Sequence, residues 1–190
     1  MAFKPGPDLA AAPFGRKAAM GPQIMSLQTE GRPPPPKPPG GIRIEDRIGI
    51  QAPAEVIWAI IADLDRWSEW NPTYPRASGT LKIGETLSAT LVLPGQPPQE
   101  IRPKVIDWVP NEQLHWRLTL LGGAIRTIRY IEIEQVTEGG CIVDNGELFG
   151  GLLGPSLGKR IGRTVRRGFL AMNEALKERA EAVWSASKAG

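Results

Sequence analysis

Six apolar residues near the C-terminus, Leu157, Ile161, Val165, Phe169, Met172 and Leu176, recur every three or four positions and draw one long helical stripe. Lys159, Arg163, Arg166, Arg167, Glu174, Lys177, Glu178 and Glu181 occupy the opposite face. A stripe of that length has to be covered by a surface about as wide as a whole sheet. Upstream, from Arg76 to Gly150, the sequence carries only strand signals, over approximately 76–80, 85–93, 99–109, 112–120, 124–136 and 141–149. Turn residues separate them, among them Pro94-Gly95, Pro110-Asn111, Gly122-Gly123 and Gly139-Gly140. The gaps are short, so neighbouring strands pair as an antiparallel meander. Ser156 reads as the cap of the terminal helix, and Pro155 as the stop of the loop before it. Gly158 and Gly162 sit inside that helix, each at a cost of about 1 kcal/mol against alanine. Either the helix approaches the sheet closely there, or space is left free near its start.

The other end of the chain supplies the remaining elements. Ile42, Ile44, Ile48 and Ile50 alternate with polar residues and predict a half-buried strand, the seventh. Ala52-Pro53-Ala54-Glu55 opens a helix whose stripe is Val56, Ile57, Ile60, Ile61 and Leu64. A second short helix runs from Asp63 to Trp70, with Leu64, Trp67 and Trp70 inward and Pro72 ending it. The class is α+β: a curved antiparallel sheet of seven strands around one long C-terminal helix, with two short helices after the first strand.

Residues 1–41 differ in kind. They hold ten prolines and six glycines, and the run from Pro33 to Pro39 is broken only by Lys37. Proline lacks the amide donor a helix needs, so this tail is expected to be disordered and extended. It carries five Lys/Arg and two acids; subtracting these from totals of 23 and 20 leaves 18 of each sign in residues 42–190. The tail is therefore the source of the net +3 charge, and the remainder is neutral. A neutral domain argues against nucleic acid as partner, because that affinity rests on many phosphate contacts. Cys141 is the only cysteine, which excludes an internal disulfide and fits a reducing, cytoplasmic setting. No segment approaches the roughly 18 apolar residues of a spanning helix. The expected division is a tail over 1–41, one domain over 42–186 and a flexible C-terminus over 187–190.

This order of elements resembles the helix-grip superfamily of START lipid-transfer domains, polyketide cyclases and dehydratases, and birch-pollen-allergen-like proteins (SRPBCC), most closely its small single-domain members. The residues that carry the resemblance are Ile50, the run Ala52-Pro53-Ala54-Glu55-Val56-Ile57-Trp58, Leu64, Trp67, Trp70-Asn71-Pro72, Gly84, and Glu147-Leu148-Phe149-Gly150-Gly151-Leu152-Leu153. It spans residues 42–184. It implies a hydrophobic cavity between the sheet and the long helix, in which some relatives carry lipids or hormones and others close or dehydrate rings. The fold alone does not choose among these activities.

Few residues offer chemistry. Val143, Asn145, Glu147 and Phe149 share a face of the last strand, and an inward Glu147 needs a partner or a raised pKa. Arg129 is the candidate partner, on the parity of Ile125, Thr127, Ile131 and Ile133. The two fit a structural clasp, a polar anchor for a ligand, an acid–base couple, or simple surface exposure. They are the only candidates for catalysis, with His115 or Tyr130 as auxiliaries. His115, the single histidine, shares a face with Arg117 and Thr119; it is expected to face solvent if the leucines and Trp116 face the helix, and to line the cavity in the reversed register. Trp67, Trp70, Trp108 and Trp116, with Phe149, Phe169 and Met172 facing them, can build an aromatic wall around a greasy ligand. No metal site or cofactor motif is present. Arg163, Arg166 and Arg167 form either an ordinary solvated face or a transient contact with an anionic membrane.

Three functions remain open. The first is a soluble binder or carrier of a small hydrophobic or aromatic molecule held between sheet and helix. The second is a cyclase-like or other cavity enzyme using Glu147 and Arg129. The third is a non-catalytic interaction module recruited through the proline-rich tail.

Overall fold

The computed structural model describes residues 41–189, so all but Gly41 of the proline-rich tail lies outside the described residues. Strands β1 (Ile42–Ile50), β5 (Lys104–Val109), β6 (Gln113–Leu120), β7 (Ile125–Thr137) and β8 (Gly140–Gly150) form a five-stranded antiparallel sheet in the order β1-β8-β7-β6-β5. Strands β2 (Arg76–Ser78), β3 (Ser88–Leu91) and β4 (Gln99–Ile101) form a second sheet. The strand expected over 99–109 is thus two strands, giving eight in all instead of seven. Pro103 explains the break: it has no amide to donate to a ladder. Its carbonyl still accepts from the Leu87 amide at 2.9 Å, and Val105 exchanges bonds with Gly84 and Glu85 at 2.9 Å. That short pairing carries one sheet into the next and bends the whole surface.

Helix α1 (Ala54–Ala62) follows β1, and a 3-10 helix (Leu64–Glu69) follows α1. The Pro53 carbonyl accepts the first helical amides, from Val56 and Ile57, and Ile57, Trp58 and Ile61 are buried. Helix α2 spans Gly154–Lys188 and so takes in two residues of the segment read as a loose C-terminus. It starts earlier than expected. Pro155 lies in its first turn, where the missing amide is harmless, and Ser156 is an exposed residue inside the helix that caps nothing. No helix among the described residues is long and apolar enough to cross a membrane.

The α2 stripe lies across the inward faces of β1 and β8. Val165, Phe169, Met172 and Leu176 are fully covered, each worth about 1.5–3 kcal/mol. The helical glycines serve close approach. A Cβ on Gly158 would stand 3.2 Å from the Phe149 ring, and one on Gly162 would stand 3.1 Å from Ile44. Polar bonds fix the register further along. The Asn145 amide donates to Asn173 Oδ1 at 2.7 Å, the Asn173 amide donates to Asp46 Oδ2 at 3.0 Å, and Lys177 Nζ donates to the Gly49 carbonyl at 3.1 Å. On the far side of α2, the Thr73 hydroxyl donates to the Gly168 carbonyl at 2.7 Å.

The outer face of the large sheet has its own clasp. Tyr130 lies across Gly146 and donates to Glu45 Oε2 at 2.6 Å. A Cβ on Gly146 would sit 2.2 Å from the Tyr130 ring and hydroxyl. Gly146→Ala is therefore expected to lose about 2 kcal/mol or more of stability, read as a lower urea midpoint at unchanged slope. Combining it with Tyr130→Ala should cost less than the two changes summed.

Candidate functional site

The central strands β7 and β8 present one inward face each. Thr127, Arg129 and Ile131 alternate on β7, and Asn145, Glu147 and Phe149 on β8, with Arg129 directly opposite Glu147. The alternation reflects the two-residue repeat of a strand, so the parity that buries Ile131 and Phe149 also turns both charged residues inward.

Arg129 is 2% exposed, and its surroundings show how a buried cation is tolerated. Nη1 donates to the carbonyls of Tyr130 at 2.7 Å and Gly146 at 2.8 Å, and Nη2 contacts Met172 Sδ at 3.7 Å. The guanidinium carbon lies 4.0 Å from the centre of the Phe169 ring and 5.5 Å from that of Trp116. Two aromatic faces and two carbonyl dipoles thus replace much of the lost hydration. Its Nε is buried without a hydrogen-bond partner among the described residues, and so is Asn145 Oδ1. Buried polar atoms of this kind cost stability unless something else meets them.

Glu147 is half-buried. Loss of solvent raises its pKa above the ordinary carboxylate value, against the opposing effects of the Thr127 hydroxyl and the Arg129 charge. It keeps accessible surface although it faces inward. Leu91, Leu118, Leu157 and Ile161, the apolar residues toward the start of α2, are also only partly covered. The grip is densest around Arg129 and looser toward that end.

Tyr74 completes the group, and sequence reasoning missed it. Its hydroxyl is fully desolvated, which raises its pKa, and it feels Arg129 by hydrogen bond and charge as well as the charge of Glu147. It sits in no periodic element. Asn71 Oδ1 accepts from the amides of Thr73 at 3.1 Å and Tyr74 at 2.9 Å, a side-chain turn that aims the ring inward. The Asn71-Pro72 pair was the only signal for it. Burial works toward the neutral form of both Tyr74 and Glu147, and of the two Glu147 starts from the lower pKa.

The aromatic residues divide. Trp67 lies 5.8 Å from Tyr74 and 6.5 Å from Trp116, and Tyr74 lies 6.1 Å from Trp116, so these rings form one wall together with Phe169 and Met172 around Arg129. Trp70 touches Trp67 at 6.1 Å but borders an external groove of about 410 Å³ with Val56, Ile60, Arg66, Arg179 and Val183. Trp108 packs on Trp58 at 6.2 Å, apart from the wall. Phe149 lies beneath Gly154 and Gly158 at the start of α2.

His115 is on the outer face, as its parity requires, but it does not face solvent. It is 7% exposed, its Nε2 is 2.8 Å from Glu132 Oε1, and its ring lies 6.0 Å from Tyr130. The Tyr130 ring and the Glu132 carboxylate cover the spot where water was expected. Burial pushes the Cys141 thiol up to about 11, so it is no thiolate at neutral pH. Among the described residues no cluster of three or more His, Cys, Asp or Glu could hold a metal ion. Arg163, Arg166 and Arg167 are exposed on the outer face of α2.

Residues 41–181 match the family model described as polyketide cyclase / dehydrase and lipid transport. Solved structures share the fold. An aromatase/cyclase from Streptomyces sp. R1128 is 15% identical, covering 74% of this chain and 94% of that one, with a TM-score of 0.60. Norcoclaurine synthase from Thalictrum flavum is 20% identical over 74% and 94% of the two chains, with a TM-score of 0.56. A START superfamily protein from Mycobacterium smegmatis is 18% identical over 74% and 98%, also at 0.56. At these identities the likeness is one of fold. No match was found among curated proteins.

A raised pKa means that the folded state holds the Glu147 proton more tightly than the unfolded chain does. Its contribution to stability is complete at low pH and declines as pH rises from the ordinary carboxylate value through the raised one. Glu147→Gln should therefore melt like the parent below that window and at a higher temperature above it, as thermal scans across pH would record.

Proposed function

We propose a function that proceeds from one premise: the chain belongs to the polyketide cyclase / dehydrase and lipid transport family. Within that family we read it as a binder or carrier of a small, largely apolar and aromatic molecule, held between the large sheet and α2. The observation that carries this reading is Arg129, a buried guanidinium stacked on Phe169 with an unmet Nε, beside an inward Glu147. A core needing only stability has no use for such a group; hydrophobic residues of the same volume would serve it as well or better. A ligand oxygen offers what the protein leaves unmet. The rings of Trp67, Tyr74, Trp116 and Phe169 suit a flat body, and Arg129, Tyr74 and Glu147 suit its polar end.

Native mass spectrometry of the full-length protein tests the reading directly. An apolar or aromatic metabolite is expected to copurify, and Tyr74→Phe should weaken its binding about two- to tenfold by removing one hydroxyl. Failure to retain any small molecule, together with no melting shift from a panel of aromatic acids and fatty acids, would refute it.

A second reading, a cavity enzyme, has one observation in its favour: the raised pKa of Glu147 next to a fixed cation. The carboxyl could then hand a proton to a substrate oxygen and take one back, with Arg129 holding the negative charge that develops. Glu147→Gln separates the two. It should abolish turnover in the enzyme and change only ligand affinity in the carrier. Recruitment through the proline-rich tail concerns residues outside those described.

A further inference from the structure

Two loops meet at the end of the sheet where α2 begins. The first is Leu120 with Leu121–Gly123, between β6 and β7; the second runs from Gly151 to Leu153, between β8 and α2. They are locked together. The Leu153 amide donates to the Ala124 carbonyl at 2.9 Å, and a Cβ on Gly151 would stand 2.7 Å from that same oxygen. Their side chains point to water: Leu120 is 41% exposed, Leu121 71%, Leu152 87% and Leu153 45%. These are four of the eight large exposed apolar residues among those described, gathered on two touching loops, whereas scattered ones would need no explanation. Leu121 also has φ of 51°, a left-handed conformation that disfavours a branched side chain. Neither backbone preference nor burial recommends leucine there.

The two stretches that build this end carry charge of one sign, and Asp46 of β1 stands 4.0 Å from Arg166 further along α2. No Asp or Glu occurs from residue 113 to 131 or from 148 to 173, the two stretches that build this end. Arg117, Arg126, Lys159, Arg160, Arg163, Arg166 and Arg167 are all exposed in them. The Arg126 guanidinium reaches Gly123 at the loop itself, and Lys159 and Arg160 are only about 8 Å along the axis from the first residue of α2.

We propose that this end docks on an anionic lipid surface, with Leu121 and Leu152 entering the acyl boundary and the surrounding cations meeting the headgroups. Apolar tips beside exposed basic residues are the two attractions that interfacial binding adds together. A second copy fits poorly, because a two-fold contact would set both cationic rings against each other. The chain's own tail is also net basic and meets the same repulsion. The inference stands whether or not the interior carries a ligand.

Flotation of the full-length protein with phosphatidylcholine vesicles, with and without phosphatidylglycerol, tests it. Binding is expected only to the mixed vesicles and should weaken with added salt. Leu121→Gly with Leu152→Ser should weaken it by roughly tenfold or more, while Lys159→Gln or Arg160→Gln should weaken it roughly fivefold. Leu121→Gly removes the backbone strain, so the melting temperature should hold or rise, which separates lost docking from lost folding. Three results would overturn the proposal. They are no binding to the mixed vesicles, binding that survives the leucine changes and so belongs to the tail, or a concentration-dependent dimer that those changes abolish.

Discussion

Everything in this fold depends on how closely one helix can lie against the edge of a bent sheet. Gly158 and Gly162 let α2 touch Phe149 and Ile44 at van der Waals distance, where any side chain would hold it off. About three turns beyond Gly162, Asn173 is bonded to both β8 and β1, and Lys177 reaches the end of β1. The helix is therefore pinned along one side, while Thr73 pins its other side at Gly168. With both sides held, α2 meets the inward face of β7 through Phe169 and Met172, which pack on Arg129. What lies between them is set by side-chain volume and by one charge.

That charge is Arg129. A guanidinium in an apolar interior is a liability unless each of its hydrogens and its π face finds an answer. The fold answers most of it with two backbone carbonyls, a thioether and the Phe169 ring, and leaves Nε and the carboxyl of Glu147 only partly answered. The outer face shows the opposite treatment of polar residues. There Tyr130, Glu45, His115 and Glu132 are paired at 2.6 and 2.8 Å. One face is closed for stability and the other left with unmet valence, a contrast that two faces equally devoted to stability would not show.

The ends of the grip differ in the same way. Toward the C-terminus of α2 the core is continuous, with Met172, Leu176 and Ala180 sealed against Ile50, Ile57 and Ile61. Toward its start Leu157 and Ile161 are only partly covered, although Phe149 and Val165 are buried, and the loops carry bare leucines beside exposed cations. Stability is concentrated at one end, and accessibility at the other.

The sequence by itself marked most of the elements and which residues of each long strand share a face. Period-two alternation sorts the residues of β7 and β8 into two faces, so Arg129 and Glu147 could be paired from residue spacing once Val143 and Phe149 were taken as inward. The stripe of α2 and its two glycines likewise implied close approach. Alternation has no reach across space, however. It could not say that Tyr74, in an irregular loop, would join that pair, or that Trp108 would leave the aromatic wall to pack on Trp58. Nor could it foresee that outer-face His115 would be buried under neighbours contributed by other strands. Pro103 went unread inside the strand expected over 99–109, and the neighbouring carbonyls and amides decided that the sheet would break there and continue. Local periodicity is a property of the chain; burial and company are properties of the packed whole, because they depend on residues far apart in sequence.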